Sequence, residues 1–399
     1  MKELFEKYKD IFRLSVIAVL IGIIVGVIDT VFGKVLIEIT SFRDENALKL
    51  IPFLSIAGVV IIYLYSKFGK NSIKGMTLVF QRANDEGESI PKRLVPLIIL
   101  TTWVTHLFGG SAGREGVAVQ IGATVADVAG SKLKIKNAKK IMIITGMAAG
   151  FAGLFQTPIA ASFFAVEVLT AGVLEYNALL TAMIAAFTAS FTSHTLGLEK
   201  FSFALNSSID INVQFIIKMA LIGIIFGIVG GAFAHFLSKG KKILQSKFEN
   251  PIKKIFVIGL FLSVVLLILY KGRYSGLGTN LISNSFNGSV IYSYDWLFKF
   301  LLTIITLSAG FQGGEVTPLF SIGSSLGVVL ALILGLPIEF VAALGYAAVF
   351  GSATNTFLAP IFIGAEVFGF NYLPYFFVIC TISYMFNGNK SIYTAQKLR

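Results

Sequence analysis

Gly146–Val168 reads GMAAGFAGLFQTPIAASFFAVEV, and Gly345–Val367 reads GYAAVFGSATNTFLAPIFIGAEV. Aligned without gaps, the two segments share nine of 23 residues, where composition bias alone gives about two. Each carries one charged residue, a glutamate near its end, Glu167 in the first and Glu366 in the second. Upstream, at almost the same offset, GGSAGREG (Gly109–Gly116) lies opposite AGFQGGEV (Ala309–Val316). Gly110 thereby pairs with Gly310, Gly113 with Gly313 and Glu115 with Glu315. A pattern that returns this way marks a chain of two related halves. They are residues 1–200 and 201–399, joined through the polar stretch Glu199–Asn212. The repeat does not itself give the relative orientation of the halves. Inversion is expected from the precedent of membrane transporters, which bind substrate between such repeats near the midplane.

Outward from these segments the chain is as apolar as they are. Charged residues make up 14%, against roughly 25% in soluble domains, and mean hydropathy is +0.81. Leu94–Gly113, Ile141–Val166, Tyr176–Leu198, Met219–Ser238, Val316–Ile338, Phe340–Ala365 and Val367–Asn389 contain no Asp, Glu, Lys or Arg. A spanning helix needs about 20 residues, so each run is long enough to cross or enter a bilayer. Shorter runs at Leu14–Ile28, Ile51–Ser66 and Ile255–Tyr270 add further helices, for ten or more membrane segments. The expected fold class is an all-α polytopic membrane protein: two inverted-topology repeats of many tilted and discontinuous helices.

The net charge of +12 does not point to nucleic acid. Its Lys and Arg cluster between the apolar runs, at Lys67–Lys74, Lys132–Lys140, Lys239–Lys254 and Lys390–Arg399. Basic loops beside membrane spans report topology, with some contact to the lipid bilayer. Lys2, Lys7, Lys9 and Arg13 flank the first span, which puts the N-terminus of a multi-pass cell-membrane protein in the cytoplasm. The single cysteine, Cys380, allows no internal disulfide. No metal cluster, nucleotide loop or haem motif is present, so neither metal nor cofactor is expected. No soluble domain is expected after the last membrane segment.

Four glutamates lie in or at the ends of apolar runs: Glu115, Glu167, Glu315 and Glu366. An acidic residue at bilayer centre costs roughly 2.5–3.5 kcal/mol on an insertion scale, so each must face protein or water, be hydrogen-bonded or be protonated. Glu115 follows Gly109, Gly110 and Gly113 and precedes an apolar stretch. Glycines make a turn whose amides can face an anion, and a helix starting there adds its positive N-terminal dipole. A glutamate at that point competes with an anion for the same donors, and protonation lets it leave. The alternative is a capping glutamate with no transport role. Glu315 repeats the pattern after Gly310, Gly313 and Gly314. The symmetric pair Glu167 and Glu366 reads as structural, holding loop amides or helix ends, with a place on a proton path as the alternative.

GSAGREGVAVQIG at Gly110–Gly122 resembles the GREGP motif of the CLC family of chloride channels and proton-coupled antiporters. GGEVTP at Gly313–Pro318 resembles that family's GxFxP motif, and NKSIYTAQ places Tyr393 at its pore tyrosine. The resemblance implies a homodimer with one pore per subunit. Departures from the family pattern are Met76 at the serine position of the first pore motif (Gly75-Met76-Thr77), Val117 for the proline of GREGP, and Glu315-Val316 in the later motif. Val168 stands at the internal proton-transfer glutamate's position. This set is similar to the fluoride-exporting branch, a secondary active fluoride/proton antiporter.

On that resemblance Glu115 is the gate that alternately binds a proton and fills the anion path. Gly75, Met76, Thr77, Phe80, Gly113, Arg114, Gly116, Val117, Glu315, Val316, Thr317 and Tyr393 line the path. Phe80, four residues beyond Met76, presents a positive ring edge to an anion or simply packs. Val168 puts the family's inward proton route in doubt, leaving a relay through Glu315 or water.

Two rival functions remain at this level: a chloride/proton antiporter or passive chloride channel on the same fold, and an intramembrane serine hydrolase built on Ser111 with His106, His194 or His235. Ser111 and His106 are five residues apart, a poor spacing for a dyad on one helix, and no enzyme activity is expected.

Overall fold

The computed structural model describes residues 1–206 and 209–398, the side chains of Lys2 and Glu3 excepted. The side chain of Lys2 in the N-terminal basic group, Ser207 and Ser208 in the linker, and Arg399 in the last basic cluster lie outside the described residues.

The first half carries α1 (Lys2–Glu45), α2 (Ala47–Leu50), α3 (Leu54–Leu64), α4 (Met76–Ala83), α5 (Leu94–Leu107), α6 (Glu115–Gly130), α7 (Ala138–Phe155), α8 (Pro158–Glu167) and α9 (Leu179–Thr195). The second carries α10 (Val213–Lys247), α11 (Pro251–Ile268), α12 (Thr279–Phe286), α13 (Asp295–Ala309), α14 (Val316–Leu334), α15 (Ile338–Thr354), α16 (Leu358–Phe368) and α17 (Leu373–Met385). Packing repeats with the order. α6 lies along α7 as α14 lies along α15, and α1 contacts α7 and α9 as α10 contacts α15 and α17.

Two of the long apolar runs do not form single spans. Ile141–Val166 breaks at Gln156 and Phe340–Ala365 breaks at Asn355, each in left-handed backbone with φ 57° and 54°. The two are repeat mates, and each ends one helix and turns the chain into a short one, α8 or α16. Leu94–Gly113 likewise yields a helix only to Leu107, because Gly109 turns the chain at φ 89°. Among the described residues, six helical stretches are long and apolar enough to cross a membrane, and five further apolar helices have 10–17 residues. Short helices leave backbone ends inside the protein, where no water satisfies them.

Glu167 and Glu366 meet that need reciprocally. Glu167, at the end of α8, accepts the N–H groups of Phe357, Leu358 and Ala359 at 3.3, 2.9 and 2.8 Å, at the start of α16. Glu366, near the end of α16, accepts those of Ile159 and Ala160 at 3.2 and 2.8 Å, at the start of α8. Between them Phe163 stacks on Phe362, its own repeat mate, with centroids 4.7 Å apart and planes at 7°. A residue stacked on its mate lies on the axis relating the halves, and the mated helices pass it antiparallel. The repeats are therefore inverted.

Removing one of these carboxylates tests the cost of an open helix end. Glu167→Ala strips three amides of a charged acceptor, a loss of about 2 kcal/mol by the scale of charge-assisted hydrogen bonds. Thermal unfolding in detergent should show a Tm lowered by several degrees, whereas an unchanged Tm means these amides find other partners.

Glycines close the other main seams. A Cβ on Gly122 or Gly146 would run into the carbonyl of the other, and Gly323 and Gly345 stand in the same relation in the second half. The backbones of α6 and α7, and of α14 and α15, therefore touch directly, which is how helices gain packing energy in a membrane.

Candidate functional site

The starts of α6 and α14 meet where the two glycine loops cross. Gly113 N–H donates to Gly314 O at 2.5 Å, and Gly314 N–H to Gly113 O at 2.8 Å. A Cβ on Gly113 would lie 2.8 Å from Pro318 Cδ, and one on Gly313 would strike the Ala112 side chain. Any larger residue in either loop would push the two helix starts apart.

This crossing decides where Glu115 points. Its carboxylate is 1% exposed. Its shorter bonds come from the other repeat: Oε2 accepts Thr317 N–H at 3.2 Å and the Thr317 hydroxyl, at the first turn of α14. Its own helix start, the expected source of donors, contributes more weakly. The Arg114 N–H also reaches Oε2, at 3.4 Å. The Arg114 guanidinium has Nε 3.6 Å from Oε1, and its buried Nε and one terminal nitrogen hold no hydrogen bond.

Beside this carboxylate opens a cavity of about 560 Å³, lined among others by Met76, Thr77, Phe80, Gln120, Glu315 and Tyr393. Lys74, Lys241 and Lys254 also border it, leaving Glu315 as the one acid in the lining. Such a wall draws anions in. Gly75, at φ 53°, turns the chain into α4 so that the first turn of that helix faces the space. Phe80 is fully buried, its ring 5.2 Å from that of Tyr393. The Tyr393 hydroxyl is buried and has no hydrogen-bond partner. Glu315 stands at the N-cap of α14, 3.9 Å from Lys241 Nζ. One of its carboxylate oxygens lies 3.7 Å from where a Cβ on Gly116 would be.

The structure thus gathers Gly75, Met76, Thr77, Phe80, Glu315 and Tyr393 around one cavity, with Glu115, Thr317, Gly113, Arg114 and Gly116 at the loop crossing beside it. Val117 and Val316 are packed away in the core. Glu167 and Glu366 sit apart, at the α8–α16 crossing. Val168 is buried, and its carbonyl accepts Gln396 Nε2 at 2.9 Å. Ser111 is fully buried, but its hydroxyl meets Thr303 Oγ1 at 2.9 Å and Lys299 Nζ at 2.9 Å, not His106. Lys299 also donates to the carbonyls of Tyr274 and Gly276, at 3.2 and 2.6 Å. The serine belongs to a clamp on the glycine loop.

The sequence reading singled out neither Gln120, Lys241 nor Lys299. Gln120 is an amide inside the quoted motif, Lys241 belongs to a cluster read only as topology, and Lys299 is a lone lysine in an apolar stretch.

Residues 57–388 match the family described as "Voltage gated chloride channel". The chain belongs to that family. Within it, the chain is 33% identical over 390 residues to the "Chloride/fluoride channel protein" of Pseudomonas syringae pv. tomato, covering 96% of this chain and 86% of the relative. The solved structure of "a CLC-type fluoride/proton antiporter" is 54% identical and superposes with a TM-score of 0.96, covering 98% of this chain and 99% of that one. A "slow cyanobacterial Cl-/H+ antiporter" shares the fold, with a TM-score of 0.83 at 19% identity over 96% of each chain. Inverted repeats with paired glycine-led helix starts are therefore built here on the voltage gated chloride channel fold.

Proposed function

We propose that this chain is a secondary active transporter that exports fluoride across the cell membrane in exchange for protons. The observation that carries the reading is the Glu115 carboxylate seated on the Thr317 amide and hydroxyl at the start of α14. An ionised carboxylate there holds the donors an anion needs. Protonation weakens its grip, the side chain leaves, and fluoride takes the amides. Return of the side chain requires loss of the proton, so one group exchanges the two ions.

Fluoride rather than chloride fits the lining. A small, strongly hydrated anion must recover its lost water from close donors and positive ring edges, which Thr317, the first turn of α4 and the Phe80 and Tyr393 rings supply. Fluoride is also the base of a weak acid, so it accumulates in cells in acidic surroundings, and a proton-driven exporter relieves that. The solved antiporter named for fluoride supports the same choice, while the relative is named for chloride and fluoride together. In this reading Gly75, Met76, Thr77, Phe80, Gly113, Arg114, Gly116, Glu315, Thr317 and Tyr393 form or shape the anion path, and Val117 and Val316 pack behind it. Glu315 is the inner proton relay, and Glu167 and Glu366 are structural. Residues 1–200 and 201–399 are the two repeats. The protein works as a homodimer in the bilayer, with its N-terminus in the cytoplasm beside Lys7, Lys9 and Arg13.

The rival is a chloride/proton antiporter or chloride channel on this fold. Efflux of fluoride and of chloride from proteoliposomes loaded with each ion separates them. Fluoride should leave at least about tenfold faster, the ratio that 1.4 kcal/mol of differential binding gives. Equal or faster chloride efflux defeats the fluoride assignment.

A further inference from the structure

Gln120 lies on α6, five residues beyond the gate, and is 6% exposed. Its Nε2 donates to Gly116 O at 3.1 Å. A carbonyl oxygen can only accept, so this bond fixes the amide's orientation. The acceptor end, Oε1, is buried with no hydrogen-bond partner in the protein, and Gln120 lines the cavity that holds Glu315. Oε1 sits 3.1 Å from where a Cβ on Gly75 would be, so the glycine that starts α4 also leaves room for this oxygen.

That orientation is the wrong one for holding an anion. A residue serving fluoride would turn its N–H groups to the cavity; here the N–H end is tied back and a lone-pair oxygen faces in, with a carboxylate in the same wall. A molecule seated between these two acceptors must donate a hydrogen bond to each, although the lysines elsewhere in the wall favour anions. Resting on the proposed antiport, we infer that Gln120 Oε1 seats a proton-donating molecule, water, between Glu315 and the Glu115 gate. Protons then reach the gate along the cavity face of α6. This supplies a path that does not pass through Val168, whose side chain is packed in the core. Gln120 is a positioning residue: its amide orients the donor and does not itself change protonation.

The test uses the purified full-length protein in proteoliposomes, with a fluoride electrode and a trapped pH dye read together. If the wild type moves no protons with fluoride, the antiport reading fails and this inference falls with it. If it does, Gln120→Met, similar in size but without an acceptor, should lower the protons moved per fluoride by about five- to tenfold, the scale of one lost hydrogen bond. Gln120→Glu keeps an acceptor and should stay at or above the wild-type ratio. A purely structural residue would slow both ions together and leave the ratio unchanged in the Met variant, and that result overturns the inference. Where the Met variant does not fold, the Glu variant decides: a preserved or raised ratio supports the assignment, and a lowered one overturns it.

Discussion

Glu115→Gln should abolish proton movement driven by a fluoride gradient. Glutamine is the same size as glutamic acid and can still meet the Thr317 hydroxyl, but it cannot change charge. The gate is then held near its protonated form, and fluoride passes without a counter-moving proton. Loss of a proton-transfer group costs about 10²- to 10⁴-fold, so coupled proton flux should fall to the background of empty liposomes. Passive fluoride leak should persist, read with the electrode under a clamped membrane potential. A mutant that still pumps protons against their gradient would remove Glu115 from the gate. The carboxylate of Glu315, held near Lys241 and not on Thr317, would then be the next group to test.

Gly146→Val should leave no folded protein to assay. The Cβ would fall on the carbonyl of Gly122, a backbone atom that cannot rotate away. Relief requires α6 to move off α7, and α6 begins with Glu115. Overpacking costs about 1–3 kcal/mol where side chains can yield, and here none can. A loss beyond about 3 kcal/mol is a large part of the 5–15 kcal/mol that holds a typical protein folded. Size-exclusion profiles in detergent should show aggregate in place of a monodisperse peak. The mate substitution Gly345→Val, against Gly323, should fail in the same way, since the two halves share the seam. A monodisperse, active Gly146→Val protein would mean the helices are less closely packed than the structure has them.

What the sequence discloses, and what it withholds, follows from the range of each interaction. The repeat was legible because helix–helix seams and helix caps impose small residues and glutamates at the same places in both halves. Glu167 and Glu366 stand at matched positions because each caps the other's helix. The breaks at Gln156 and Asn355 share no Gly or Pro mark, since only the first has a proline close behind it, Pro158. The signal that existed was a pair of mated amide residues, each followed by threonine, inside otherwise apolar runs. The glycine-led start at Glu115 was legible as local grammar. Which amides it takes was not, because Thr317 is 202 residues away. That choice depends on the Gly113–Gly314 pairing, a backbone contact that leaves no side-chain pattern. Lys299 was invisible for the same reason, its acceptors being a serine and two backbone carbonyls contributed by other segments.

Competition between one carboxylate and one halide for the start of α14 can be measured without transport. Fluoride binding to the purified protein, titrated calorimetrically at a series of pH values, reads it directly. If a proton must be taken up for each fluoride bound, wild-type affinity should fall by about tenfold per pH unit over the range in which that uptake is complete. Glu115→Gln should bind at the acid-limit affinity across the whole range. Wild-type affinity independent of pH, or the same slope in the glutamine variant, would contradict the account.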